Sequence, residues 1–163
     1  MANVSPDDFR GALGSWAAGV SVVTTNQNGQ LYGITVSSFS SLSMDPLLVL
    51  VCIANSNKLA NMVKETKKFA VSILAEGQDE ISGWFSKSGR EPVRSFDAFD
   101  TYTAETGCPI ISGSIAHLDC ELYEAFPGGD HIIAVGHVLA AGFDPNVNPL
   151  MYFRRGYRTV KMD

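Results

Sequence analysis

Residues 115–143 read IAHLDCELYEAFPGGDHIIAVGHVLAAGF. On both sides of Pro127-Gly128-Gly129-Asp130 the chain alternates or runs apolar, and the centre carries turn chemistry, so the stretch predicts a long antiparallel hairpin. Toward the N-terminus the pairing recurs: VSVVTT after Gly19 and LYGITVSSF from Leu31 are joined by Asn26-Gln27-Asn28-Gly29, whose Asn-Gly step is a hairpin signal. Pro46 opens LLVLVCIA, an unbroken apolar run of strand length that predicts burial on both faces. FAVSIL (69–74) and PLMYFR (from 149) add two strands. Ser5-Pro6-Asp7-Asp8 reads as a capped helix start, with acids at the positive dipole end, for a helix reaching about Trp16. Asn57 to Lys67 carries Leu59, Met62 and Val63 at helical spacing, 78–86 suits a short helix, and 87–109 reads as a long loop. About six or seven strands, mostly hairpin-linked, favour a mainly β chain, an antiparallel β-barrel with a few short helices, over a doubly wound sheet.

At 163 residues the chain suits one domain, 1–163, around one core. No repeat, low-complexity tract or linker divides it. Hydrophobic residues make up 45% and no run has the length of a membrane span. Charged residues are only 18%, against about 25% in typical domains, which points to surface covered by a subunit interface or a large ligand, a homo-oligomer first. A net charge of -5 argues against nucleic acid as a partner. The one basic cluster is Arg154, Arg155, Arg158 and Lys161, either a solvated edge or a grip for a phosphate-bearing small molecule. Cys52, Cys108 and Cys120 are odd in number and lack CxxC spacing, so neither a disulfide framework nor a zinc site is expected. With no secretory signal in MANVSPDDFRGALGSW, the expected compartment is the cytoplasm.

The histidines offer no metal site. His131 and His137 share a predicted strand and stand about 20 Å apart, too far to bind one ion within a chain, and His117 has only Asp119 close by in sequence. There is no GxSxG elbow, P-loop or HExxH, and a bound cofactor would leave the protein little proton transfer to perform. Three stretches suit a planar, phosphorylated ligand. Gly33-Ile34-Thr35-Val36-Ser37-Ser38-Phe39-Ser40-Ser41 runs from a strand into a hydroxyl-rich segment whose donors suit a heterocycle, or is an ordinary serine-rich loop. Cys52-Ile53-Ala54-Asn55-Ser56-Asn57-Lys58 leads a strand through a polar cap into a helix, forming an anion site or a plain cap with a solvated lysine. Gly128-Gly129-Asp130-His131 sets an imidazole at the barrel mouth, or is simply a hairpin turn.

In this order and spacing the three stretches resemble the flavin reductase family, the short reductase components of two-component flavin monooxygenases. The resemblance runs from FRGALGSWAAGVSVVTT through YGITVSSFSSLSMDPLLVLVCIANSNK to GCPIISGSIAHLDCELYEAFPGGDHIIAVGHVLAA and PLMYFRRGYR. It implies a split β-barrel of Greek-key type, usually a homodimer, that binds FMN or FAD near the subunit interface. Hydride would pass from NADH or NADPH to the flavin, and reduced flavin would go to a separate oxygenase. By position, Thr35, Val36, Ser37 and Ser38 would face the isoalloxazine and ribityl chain. Cys52, Ala54, Asn55, Ser56 and Lys58 would line the ribityl and phosphate end, and Phe85 and Ser86 would close over the flavin. His131, Tyr152 and Arg154 would attend the nicotinamide, with His131 the catalytic candidate. The family often ends Phe-Arg-Gly-Arg-Tyr, whereas this chain has Phe153-Arg154-Arg155-Gly156-Tyr157, with the glycine one place later. The segment Ser86-Lys87-Ser88-Gly89-Arg90 also departs from the family pattern. Two other readings stay open: a flavin carrier without turnover on the same barrel, and a barrel for an apolar ligand.

Overall fold

A computed structural model of the chain describes residues 4–160. Helix α1 (Pro6–Leu13) starts where expected, the Ser5 hydroxyl accepting from the Asp8 N–H, and ends at Gly14, short of Trp16. Strands β1 (Ala18–Gly19), β2 (Ser21–Gln27) and β3 (Gln30–Val36) follow. The β2–β3 turn is Asn28-Gly29, both at positive φ (53° and 82°), the mirror-image turn whose twist matches a hairpin. β4 (Ser40–Met44) is a short edge strand made from the hydroxyl-rich segment, and β5 (Leu47–Ala54) is the apolar run opened by Pro46.

β5 corrects one expectation. Val49, Val51 and Ile53 point into the core, while Leu48, Leu50, Cys52 and Ala54 stay partly exposed, so the strand alternates rather than being buried on both faces. Its composition describes a strand with cover on each side, and within one chain only one side has a packed core.

Helix α2 (Lys58–Thr66) is capped by Asn57, which accepts from Leu59 N–H (2.9 Å), and buries Leu59, Ala60, Met62 and Val63 against the sheet. β6 (Lys68–Ile73) and α3 (Asp79–Phe85) lie as read, and the segment read as a long loop contributes the two-stranded ladder of β7 (Thr101–Thr103) and β8 (Pro109–Ile111). The hairpin of β9 (Ala116–Gly128) and β10 (His131–Phe143) turns at Gly129-Asp130, with His131 paired to Gly128. β11 (Met151–Phe153) and β12 (Gly156–Arg158) end the described chain.

The main sheet is antiparallel throughout, in the order β3-β2-β6-β9-β10-β5-β4, and a smaller one runs β1-β11-β12. Among the described residues the end strands β3 and β4 do not pair, which leaves the barrel split. α2 fills one side with Leu59, Val63, Phe69 and Val51, and α3 covers a second cluster of Val22, Leu74, Phe85, Phe96 and Leu150. No helix among the described residues is long and apolar enough to cross a membrane.

Candidate functional site

The three stretches meet. Ser38, just beyond β3, donates its hydroxyl to the Cys52 carbonyl (2.9 Å) and accepts from the Cys52 N–H (3.2 Å), which ties the first stretch to the second. The Asn55 N–H donates to the Asp130 carbonyl (2.9 Å), and its side-chain amide donates to the Gly129 carbonyl (3.3 Å), tying the second to the third. Ala54 stands opposite His131 in the β5–β10 ladder. One strand end, one capped helix entry and one hairpin turn are thereby fixed to one another by the Ser38 hydroxyl, the Asn55 amides and main-chain partners, independent of any ligand.

Beside this junction lies a cavity of about 150 Å³ lined by Val20, Thr35, Val36, Ser37, Ser82, Tyr152 and Tyr157. Its walls are aliphatic and aromatic with a few hydroxyls, the character of a surface that receives a flat ring. The Thr35 hydroxyl donates to the Ser82 carbonyl (2.7 Å), so it fastens α3 to β3 and leaves the wall to its methyl and main chain. A larger polar hollow of about 450 Å³ lies elsewhere, among Asn26–Gly29, Glu65, Thr66 and Lys68. Its side chains are spent on protein partners, Gln27 on Glu65 (2.5 Å), Asn26 on Gly107 (3.1 Å) and Lys68 on Thr106 (2.7 Å), so they do not converge on a ligand.

α3 is set by an arginine that the sequence reading passed over as part of an untypical segment. Arg90 donates to the carbonyls of Gly33 and Phe85, and its guanidinium lies over the Trp84 ring at 4.4 Å from the centroid. Burial shifts the group below its ordinary range, countered in part by Tyr32. Gly33 makes this packing possible: a Cβ there would sit 3.0 Å from the Phe85 ring and 3.0 Å from the Val23 carbonyl.

Phe85 itself is 1% exposed and edge-packed on Trp84 and Phe96, a core residue that does not line the cavity. Ser86 is exposed, its hydroxyl turned back to the Gly83 carbonyl. At the polar end Lys58 is ion-paired with Glu91, and Ser56 is exposed beside the helix start. The His131 ring nitrogen Nδ1 donates to Asp130 (2.7 Å), and that hydrogen bond, with the imidazole's charge behind it, holds the carboxyl below the usual carboxylate range.

In the smaller sheet Tyr152 pairs with Ala18 and with Tyr157, the two rings edge-on at 5.6 Å. Arg154 and Arg155 form the turn, both at positive φ (48° and 61°), and the Arg154 guanidinium lies over Phe153 at 5.1 Å. Lys161, the last of the cationic cluster, falls outside the described residues. Ser82, Tyr157 and Val20 line the cavity without having been singled out from sequence, because only tertiary packing brings them there. Among the described residues no group of His, Cys, Asp and Glu could hold a metal ion. Asp119 is buried and accepts from Thr106 N–H (2.7 Å) and Thr106 Oγ1 (2.5 Å), a structural role.

A family model described as a flavin reductase like domain matches residues 13–161. The chain belongs to the flavin reductase family. An NADH-dependent flavin reductase from a Rhodococcus species is 33% identical over 162 residues, 98% of this chain and 89% of the relative. The reductase subunit HsaB of a flavin-dependent monooxygenase from Rhodococcus jostii is 33% identical, over 98% of this chain and 80% of its own length. The solved NADH:FAD oxidoreductase of Streptomyces globisporus, in complex with NAD and FAD fragments, superimposes with a TM-score of 0.91 at 32% identity, covering 100% of this chain and 99% of that one.

Proposed function

We propose that the cavity between Thr35–Ser37 and Tyr152 receives the ring of a flavin, FMN or FAD, with the Asn55–Lys58 cap at its phosphate end and NADH stacked against it beside His131. The activity is that of an NADH-dependent flavin reductase supplying reduced flavin to a separate monooxygenase. The observation that carries the placement is the reciprocal Ser38–Cys52 bonding, which makes the strand end and the capped turn two sides of one slot.

The donor set fits such a ligand. Val20, Val36 and Tyr152 offer apolar surface at one end, and Asn55, Ser56 and Lys58 offer an amide, a hydroxyl and a cation at the other. When bound, the flavin supplies the ring that accepts a hydride. The chain's own part is orientation. The hydrogen bonds among Ser38, Cys52, Asn55 and Asp130 hold the slot in shape before anything enters, so little ordering remains to be done on binding. Asp130 fixes the rotation of the His131 imidazole and leaves the other ring nitrogen to meet a carboxamide or a phosphate oxygen. Lys58 reaches a phosphate by exchanging a partly exposed pairing with Glu91, a surface contact worth about 0–1 kcal/mol.

A homodimer belongs to the same reading. A cavity of about 150 Å³ is smaller than the roughly 300–1,000 Å³ of small-molecule sites, and a second copy would supply the missing cover. α1 has no buried residue yet exposes Phe9 and Leu13, with Trp16 exposed just beyond it, the profile of a helix that packs on a partner. The three cysteines are all free, in keeping with a reducing cytoplasm.

The test is spectroscopic. Added FMN or FAD is expected to bind, and anaerobic NADH is expected to bleach the flavin far faster than in a protein-free control. Binding without bleaching would instead support the carrier reading, and no response to flavin would end both.

A further inference from the structure

Among the described residues, one side-chain hydrogen bond joins β12 to the rest of the molecule: the Tyr157 hydroxyl donates to Ser82 Oγ (2.9 Å). Ser82 is 1% exposed, and its carbonyl accepts from Thr35 Oγ1. Tyr157 is therefore linked through a single helical residue to the opposite wall of the cavity. Tyr152 stands across the ladder from Tyr157, so whatever holds Tyr157 also places the Tyr152 ring. The hairpin is held on its β11 side by the ladder with β1 and at its turn by the Arg154 N–H donating to the Gly14 carbonyl (3.0 Å), whereas among the described residues β12 pairs only with β11. Its strands are three residues long, and its turn is two arginines in the left-handed region, a conformation unfavourable for a side chain with a Cβ.

We propose that Tyr157 is a positioning residue of the flavin site: through Ser82 it latches the β11–β12 hairpin onto α3 and so sets the gap between Thr35–Ser37 and the Tyr152 ring. The inference rests on the flavin reading of this cavity and adds a residue to it. Tyr157 is 39% exposed and lies outside the core built from Leu74, Phe85 and Leu150, so losing its hydroxyl costs at most the pairing of the buried Ser82 hydroxyl. Its loss loosens the wall and leaves the fold in place.

The experiment compares the wild type with Tyr157→Phe, Ser82→Ala and the double variant. Dissociation constants are measured by flavin fluorescence in the absence of NADH, using FMN or FAD, whichever the wild type binds more tightly. Thermal melts and steady-state kinetics follow. Tyr157→Phe is expected to weaken flavin binding about three- to tenfold, the scale of one hydrogen bond. The KM for NADH should rise, kcat should stay within about twofold, and the variant should still melt in one cooperative transition, with Tm lower by several degrees at most. Ser82→Ala should act alike, and the double variant should be no worse than either single, since all three remove one bond. Flavin affinity unchanged in Tyr157→Phe overturns the latch, as do single effects that add in the double, or a fall in kcat at constant affinity. A wild type that binds no flavin overturns the underlying reading along with the latch, and that outcome is distinct from a wild type and variant that bind equally.

Discussion

His131 and Asp130 sit at the tip of the longest hairpin, and their pairing gives the imidazole one orientation. The sign of its pH dependence follows from the depressed Asp130 carboxyl. Its favourable contribution is present above the ordinary carboxylate range and is lost as pH falls through the lowered folded value. Replacing His131 by Ala removes both the hydrogen bond and the charge, so the Asp130 titration should move up toward the ordinary range when followed by carbon NMR. The same substitution should lower turnover or raise the KM for NADH without abolishing flavin binding, and unchanged kinetics would remove His131 from the site. The cysteines separate just as clearly. Burial, reinforced by Asp119 and Cys108, pushes the Cys120 thiol up to about 12, and burial raises Cys108 as well, so both should resist alkylation in the folded protein. Cys52 lies partly exposed on the outer face of β5, next to Ser38. Mass spectrometry after brief iodoacetamide treatment near pH 8 should find Cys52 as the labelled thiol, and saturating flavin should protect it. Labelling of Cys52 that flavin does not slow would place the ligand away from that strand.

At the scale of elements, helix caps and turn chemistry were legible because they are local. Ser5 and Asn57 each do as caps what their side chains suggest, and Asn28-Gly29 turns the first hairpin. The meeting of the first and second stretches was anticipated only through the family resemblance, since Ser38 and Cys52 are fourteen residues apart and nothing local draws them together. Three features were not legible. β4 hid in a run of serines that pairs only because β5 offers an edge. β12 hid behind two arginines that are poor turn formers by composition. The inward face of α3 was the third: Phe85 and Ser82 lie on the same short helix, and which of them faces the cavity depends on Gly33 letting the Phe85 ring approach β3. Gly33→Ala tests that dependence. The added methyl meets a ring carbon, the Thr24 methyl and a main-chain carbonyl at about contact-violating distance, of which the carbonyl cannot easily move. Overpacking of this kind costs about 1–3 kcal/mol. Chemical denaturation should register that loss, and flavin affinity should fall with it because α3 carries Ser82. A variant as stable as the wild type with intact binding would show that α3 does not need this close approach.

For the whole molecule, the low charged fraction and the unburied α1 point the same way. Phe9, Leu13 and Trp16 present apolar surface on one short segment, with Trp16 75% exposed, and Met44 and Leu47 expose more at the β4–β5 edge. Isolated apolar residues on a surface are ordinary, but a helix that buries nothing gains no stability from packing within its own chain, and eight residues are too few to hold helical form alone in water. On the dimer proposal, α1 is an element completed by association. A stable interface of this class buries about 1,200–2,000 Å² in total, and its apolar centre should contain these side chains. Light scattering is expected to return about twice the 17.5 kDa chain mass. The double substitution Leu13→Lys and Trp16→Lys, which puts two charges on that face without touching the core, should shift the molecule toward monomer. On the proposal that a second copy covers the small cavity, flavin affinity should fall in step with the loss of dimer. Dilution of the wild type across its association constant should reproduce that coupling. If the double variant is monomeric yet binds flavin as tightly as the wild type, the slot is complete within one chain and α1 serves another purpose.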